Sequence, residues 1–96
     1  MPSASEIATL ASKTVNGARE ETYGDVLANH AKIAKLWNAY NQIRRSAPGP
    51  FTAEDVAQME SLIKKARSQS GQFNLDDYVD DAGYASIAGE IAERSK

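Results

Sequence analysis

The stretch that decides the fold is IKKARSQSGQFNLDDYVDDAGY, residues 63–84. A helical pattern ends in a loop containing Gly71, and Asn74 then offers its side chain as the N-cap of the next helix. A basic group precedes the loop and an acidic group follows it: Lys64, Lys65 and Arg67, then Asp76, Asp77, Asp80 and Asp81. Because the loop is short, the stretch predicts an antiparallel helical hairpin with oppositely charged arms.

Helical spacing of apolar residues continues through the rest of the chain, and no stretch shows the alternation typical of strands. Ser3, Asp25 and Thr52 are suitable N-caps for three further helices. The predicted helices cover residues 4–16, 26–45, 53–68 and 75–93. The fold class is therefore all-α, a small four-helix bundle, and residues 1–96 are expected to form a single helical domain.

Two apolar faces are predicted on the fourth helix. Leu75 and Val79 lie on one side, and Tyr84 lies roughly opposite with Ile87 and Ile91. Since two apolar faces need two partners, we expect this helix to pack on its own bundle and to form a homo-oligomer through the side of Tyr84. On the third helix, the predicted buried stripe consists of Val56, Met59, Ile63 and Ala66.

Composition excludes several classes of function. The 96 residues carry a formal net charge of -2, which argues against general nucleic-acid binding because phosphate affinity comes from an excess of Lys and Arg. The absence of cysteine excludes thiolate metal sites and cysteine nucleophiles. No apolar run is long enough to span a membrane, and the first residues do not resemble a signal peptide, so we expect a cytoplasmic protein.

The charged hairpin is the first candidate site. Asp76 and Asp80 are four residues apart, so their carboxylates project from one helix face and could share Mg²⁺. Lys64 and Arg67 are three residues apart and could hold a phosphate group. The alternative is structural, because Lys64 or Arg67 could instead pair with Asp76 or Asp80 across the hairpin.

The second candidate site is the connector before the second helix. Arg19 offers a bidentate donor for phosphate, and Tyr23 offers an aromatic surface on which a base could stack. The alternative is a plain connector in which Tyr23 covers the end of the bundle and Gly24 supplies backbone freedom.

Several short patterns occur in a fixed order along the chain: Gly17-x-Arg19-x-x-x-Tyr23-Gly24-Asp25, Lys64-x-x-Arg67, and Asp76-x-Tyr78-Val79-Asp80-x-Ala82-Gly83-Tyr84. Together they resemble a family of small phage and prophage proteins of unassigned function, over roughly residues 12–92. The resemblance implies a helical phage accessory protein.

The Asp-x-x-x-Asp-x-x-Gly-Tyr ending is also similar to the last acidic motif of the MazG-like nucleotide pyrophosphatases. Those all-helical enzymes hold Mg²⁺ with acidic pairs on two helices and hydrolyse nucleoside triphosphates between the first two phosphates. The resemblance implies that Asp76 and Asp80 form the second acidic pair. For the first pair, the third helix offers only Glu54 and Asp55 at its start and Glu60 farther along.

The functional expectation is a phage-type protein that binds a nucleotide-like phosphorylated ligand and, by analogy with small oligomeric phage proteins, sequesters a nucleotide signal of host defence. The alternatives are a Mg²⁺-dependent MazG-like pyrophosphohydrolase and a non-enzymatic structural or interaction protein. The residues assigned to the ligand are Arg19, Tyr23, Lys64, Arg67 and Tyr84, with Asp76 and Asp80 assigned to Mg²⁺ or to orienting the basic pair.

Overall fold

The computed structural model describes residues 1–16 and 25–96. This part of the chain is a small all-α bundle, which confirms the predicted fold class, and it contains α1 (Ala4–Asn16), α2 (Val26–Ile43), α3 (Ala53–Ser68) and α4 (Leu75–Ser95). Two ends differ from the prediction: α2 stops at Ile43 instead of residue 45, and α4 continues past residue 93 to Ser95. None of the described helices is both long and apolar enough to cross a membrane.

The predicted N-caps are all present. The carboxylate of Asp25 accepts a hydrogen bond at 2.8 Å from the amide three residues later. Thr52 accepts from the amide of Asp55 at 3.2 Å, and the carboxylate of Asp55 accepts from the amide of Thr52 at 2.8 Å, which completes a capping box. The side chain of Asn74 accepts from the amide of Asp76 at 3.0 Å. These caps satisfy amides that a helix start would otherwise leave unpaired.

The early end of α2 has a local cause. Arg44 adopts extended backbone angles, φ -63° and ψ 141°. Its guanidinium donates to the carbonyl of Gly49 at 2.7 Å and lies 4.4 Å from the centre of the Phe51 ring. Because these contacts hold the side chain against the α2–α3 loop, Arg44 leaves the helix that the apolar pattern alone would continue.

Helix α3 is the centre of the described packing. It lies against α4 along most of its length and against α2 on another side, whereas α1 makes at most marginal contact with the other described helices. The indole of Trp37 donates to the carbonyl of Met59 at 3.0 Å, which ties α2 to α3. The buried apolar side chains of the described residues are few and mostly small: Ile33, Ala57, Ala66 and Ala88.

The predicted buried stripe of α3 is partly wrong. Val56 is 51% exposed, whereas the neighbouring Asp55 and Ala57 are buried, as is Ser61 one turn later. The polar residues replace Val56 in the interior because they find hydrogen-bond partners there.

The two faces of α4 are also the reverse of the prediction. Tyr84 and Ile91 are half-buried, on the side where Asp77 and Ala88 face α3, while Ile87 is 49% exposed and Val79 on the opposite side is 58% exposed. The expectation that Tyr84 and Ile91 point away from their own bundle is therefore wrong, and the homo-oligomer stays a prediction. Apolar periodicity identifies both faces but does not choose between them, and the small side chain of Ala88 allows α3 to approach.

Candidate functional site

Six side chains form one group on one side of the contact between α3 and α4. We define this interhelical cluster as Glu60, Lys64 and Arg67 of α3 with Asp77, Asp80 and Tyr84 of α4. On each helix the members recur at spacings of three and four residues, so they project from a single stripe. Because the helices are joined by a short loop, the two stripes face each other across the hairpin.

A salt bridge crosses the cluster at its more exposed end. The ammonium of Lys64 lies 3.1 Å from a carboxylate oxygen of Asp80. The Lys64 side chain is only 17% exposed, while that of Asp80 is 47% exposed. The pairing expected across the hairpin is thus formed, and it is formed by Lys64 and Asp80. Partners as exposed as Asp80 contribute little to stability because water screens them.

A second salt bridge joins α3 to α4. Its residues follow Lys64 and Asp80 directly, so it lies about 100° around each helix from the first. Lys65 lies 2.7 Å from Asp81, and the hydroxyl of Ser61 donates to the same carboxylate. Burial alone would raise the pKa of Asp81, but the hydrogen bonds from Lys65 and Ser61 outweigh burial and lower it. This flank is a satisfied structural contact and serves as an internal comparison for the cluster.

Asp77 is the most deeply buried member of the cluster, with 1% of its surface exposed. Its Oδ2 atom has no hydrogen-bond partner among residues 1–16 and 25–96. Leaving a buried polar atom unpaired costs about 1–3 kcal/mol, and more for a charged group. In native proteins such an atom usually meets an ordered water, an ion or a ligand.

The surroundings of Asp77 shift its pKa in two opposite directions. Burial raises the pKa of Asp77, and the negative charges of Asp80 and Asp76 raise it further. The positive charges of Lys64 and Arg67 oppose this shift, yet the net direction is upward. The folded protein therefore holds a carboxyl group that resists ionisation beside two cations.

Tyr84 is the last member of the cluster along α4 and lies near the middle of that helix. The carboxylate of Glu60 raises the pKa of Tyr84, both as an acceptor for its hydroxyl and through its charge. The positive charge of Arg67 partly offsets the shift. A half-buried aromatic ring therefore lies near the cations.

A second buried carboxylate lies at the α2–α3 junction, and its environment is the opposite. Asp55 accepts hydrogen bonds from the hydroxyl groups of Tyr40 and Ser46, each at 2.6 Å, and from the amide of Thr52. The guanidinium of Arg44 lies 3.3 Å from it. Burial favours the neutral acid, but these hydrogen bonds outweigh it and hold the pKa of Asp55 far below its usual range.

The structure brings together four of the residues predicted from the sequence: Lys64, Arg67, Asp80 and Tyr84. Asp76 lies exposed at the start of α4 and acts on the cluster only through its charge. Arg19 and Tyr23 lie outside the described residues.

Sequence reasoning did not assign Asp77 or Glu60 to a site. The signal was present, because Glu60, Lys64 and Arg67 share one helical stripe and so do Asp77, Asp80 and Tyr84. What the sequence does not reveal is that Asp77 is the one of the four acids at the start of α4 that becomes buried.

The acids do not form a metal cage in the described residues. In residues 1–16 and 25–96, no group of three or more His, Cys, Asp or Glu side chains is arranged to hold a metal ion. The exposed carboxylate of Asp80 is paired with Lys64, and Asp76 lies exposed one turn earlier at the start of α4.

Comparisons with known proteins identify the family. Residues 6–92 match the family described as Domain of unknown function (DUF6378). The Gene 55 protein of Mycobacterium phage L5 is 44% identical over 81 residues, which are 84% of this chain and 49% of that protein, so the chain spans about half the length of this relative. No solved structure shows a significant match. The chain belongs to the DUF6378 family, a family of small phage proteins of unassigned function.

Proposed function

We propose that this chain is a phage accessory protein that binds a phosphorylated, nucleotide-like ligand at the interhelical cluster. The observation that carries the proposal is the placement of Lys64 and Arg67 on one helical stripe, where both positive charges act on buried Asp77 and the Lys64 side chain is only 17% exposed. Titratable groups with shifted pKa values beside specific charges are a common mark of binding sites.

Lys64 and Arg67 supply the positive charge for a phosphate group. Within the described part of the chain, Lys64 forms its salt bridge with Asp80, whose side chain is 47% exposed. A phosphate oxygen can replace that carboxylate without opening the bundle, because the exchange takes place at the surface. Arg67, one turn further along α3, adds a planar donor that suits phosphate geometry.

Tyr84 supplies an aromatic ring next to those cations. The ring is half-buried, so stacking a base on its exposed part would cost less conformational entropy than ordering a free side chain. Arg19 and Tyr23, which the sequence assigns to phosphate and base, are proposed as further ligand contacts.

The arrangement of the acidic side chains favours binding of the ligand without hydrolysis. A MazG-like pyrophosphohydrolase needs a cage of carboxylates for Mg²⁺, and the described residues contain no such group. Mg²⁺ could still accompany the phosphates through Asp76 or Asp80, since it often binds one or two carboxylates plus substrate oxygens. In this proposal the protein sequesters a nucleotide signal of host defence in the host cytoplasm.

A thermal-shift screen tests the proposal. The probes are nucleoside mono-, di- and triphosphates and cyclic mono- and dinucleotides, each with and without Mg²⁺. A bound ligand raises the melting temperature, and the stabilisation grows with the logarithm of the ligand's excess over its Kd. If no probe stabilises the protein at millimolar concentration, the structural or interaction role is correct and the proposal fails.

Matched variants locate the binding site. Lys64→Gln should weaken binding of the stabilising probe by roughly 10- to 100-fold, as expected for loss of one charged hydrogen bond. Lys65→Gln is the control, because it removes an equivalent pair on the opposite flank. Equal losses in both variants would place the ligand elsewhere. Recovery of an unchanged probe after denaturation distinguishes sequestration from hydrolysis.

A further inference from the structure

We infer that the ligand site extends onto α2, where Asn29 joins Asp77 of α4 in accepting hydrogen bonds from the two adjacent hydroxyl groups of a ribose. The inference rests on the proposed function and deepens it, because it makes the ligand a ribonucleotide instead of a deoxyribonucleotide. It also adds to the site a residue, Asn29, that lies outside the interhelical cluster.

Asn29 and Asp77 share a feature that is rare inside a folded protein. They are 7% and 1% exposed, and each has a buried oxygen atom without a hydrogen-bond partner among residues 1–16 and 25–96. The two atoms are Oδ1 of Asn29 and Oδ2 of Asp77. An amide oxygen and a carboxylate oxygen are both acceptors. The two residues therefore offer a pair of acceptor atoms to a group that carries donors.

The register of α2 against α3 places Asn29 at the level of Arg67. The indole of Trp37 donates to the carbonyl of Met59, and the helices are antiparallel, because the next contact along α2 is to an earlier residue of α3. Eight residues back from Trp37 is Asn29, and eight residues forward from Met59 is Arg67. The ammonium of Lys32 agrees with this register, because it donates to the turn that follows α3.

The register of α4 against α3 places Asp77 at the same level. Lys64 pairs with Asp80 at 3.1 Å. One turn farther along α3 is Arg67, and one turn earlier along α4 is Asp77. The charge of Arg67 acts on Asp77 accordingly. Since α2 and α4 pack on different sides of α3, Asn29 and Asp77 flank the same arginine, and the acceptors adjoin the cations assigned to phosphate.

Phosphate binding opens a path to Asp77. Asp80 lies one turn from Asp77 on the same face of α4, and its side chain is 47% exposed. When a phosphate group takes the place of Asp80 beside Lys64, the Asp80 carboxylate turns out into water. The space that it leaves adjoins Asp77, so a group bonded to the phosphate can reach the buried acceptor.

Ribose is the part of a nucleotide that suits these acceptors. It carries two hydroxyl groups on adjacent carbon atoms, and it is bonded directly to the phosphate group that the cations hold. The base is already assigned to Tyr84. Carboxylates bind ribose hydroxyl groups in other nucleotide sites. A hydroxyl group donates and accepts, so it can pair with the Asp77 carboxyl in either protonation state.

Calorimetric titration of the parent protein with matched probes tests the inference. The probes are ATP, GTP, CTP and UTP, each with the analogues that lack the one or the other hydroxyl group of the ribose. The ribonucleotide that binds most tightly should bind about 10- to 100-fold more tightly than either analogue, because each missing hydroxyl leaves a buried acceptor unpaired. Equal binding of all three would overturn the inference and leave the proposed function standing. No binding by any probe would overturn both.

Asn29→Leu tests the added residue. Because leucine removes an unpaired buried oxygen and keeps a side chain of similar length, the variant without ligand should melt at the temperature of the parent protein or above it. Its affinity for the ribonucleotide should fall by about tenfold, and one of the two hydroxyl deletions should no longer weaken binding. Asn38→Leu is the matched control, since Asn38 is an exposed asparagine of the same helix, and it should keep both preferences. A lower melting temperature for Asn29→Leu with both preferences unchanged would make Asn29 a structural residue and overturn the inference.

Discussion

Asp55 and Asp77 are aspartates at the same position of their helices, but their hydrogen bonding and pKa shifts are opposite. Each is the third residue after an N-cap, Thr52 for α3 and Asn74 for α4, and each is almost completely buried. Asp55 turns back to the amide of its N-cap and accepts hydrogen bonds from two hydroxyl groups. Asp77 faces the interhelical cluster with one oxygen unpaired.

The comparison separates two uses of a buried carboxylate. At the α2–α3 junction the charge is satisfied, its pKa is lowered, and its partners are drawn from a helix and a loop that it holds together. In the cluster the pKa is raised because burial is not compensated. The first arrangement stabilises the fold, whereas the second leaves a buried acceptor unpaired within the described residues and raises its pKa, a shift of the kind that clusters at functional sites.

The largest expected effect is at the junction. Asp55→Asn would leave the guanidinium of Arg44 buried without its counter-charge, since that side chain is 6% exposed. The free energy of unfolding should fall by about 3–5 kcal/mol, measured by urea denaturation. The control is Glu54→Gln, because Glu54 pairs with Arg45, which is 80% exposed, and the loss should stay below about 1 kcal/mol. Equal losses of stability in the two variants would contradict a special role for Asp55.

A pair of tyrosine variants sharpens the comparison. Tyr40→Phe removes a 2.6 Å hydrogen bond to buried Asp55 and should cost about 1.5–3 kcal/mol of stability. Tyr84→Phe removes a hydroxyl group that has no such bond to a buried carboxylate and should cost clearly less. Chemical denaturation of both variants gives the two values. A larger loss for Tyr84→Phe would contradict the division between a structural junction and a binding cluster.

The smallest stability effects are expected for the two lysines. Lys64→Gln and Lys65→Gln each break one exposed or partly exposed pair, at 3.1 and 2.7 Å. Each should change the free energy of unfolding by about 0–1 kcal/mol. Thermal unfolding of the two variants side by side checks this. A collapse of stability in Lys64→Gln would show that the cluster is part of the core.

Local signals in the sequence predicted the helices well. Asp25, Thr52 and Asn74 act as N-caps as expected, because capping depends on residues only two or three positions apart. The end of α2 was missed because Arg44 is held by the loop carbonyl of Gly49 and by the ring of Phe51, contacts that no helical pattern encodes.

The candidate site was predicted only in part, for the same reason. The stripe of Lys64 and Arg67 and the stripe of Asp80 and Tyr84 can be read from spacing, and the hairpin brings them together. Which of the acids is buried depends on how α4 is rotated against α3. That rotation is set by packing across the contact, and two apolar faces of similar strength leave it undecided in the sequence.

The stability of Asp77→Asn tests the central claim most directly. Since the folded-state pKa of Asp77 is raised, its contribution is complete below the ordinary value of 3.8 and is lost as the pH rises through the raised pKa. Near pH 7 the variant should therefore unfold at the same urea concentration as the parent protein or at a higher one, and this advantage should shrink in acid. A loss of stability as large as that of Asp55→Asn would contradict the account, because Asp77 would then be a structural residue.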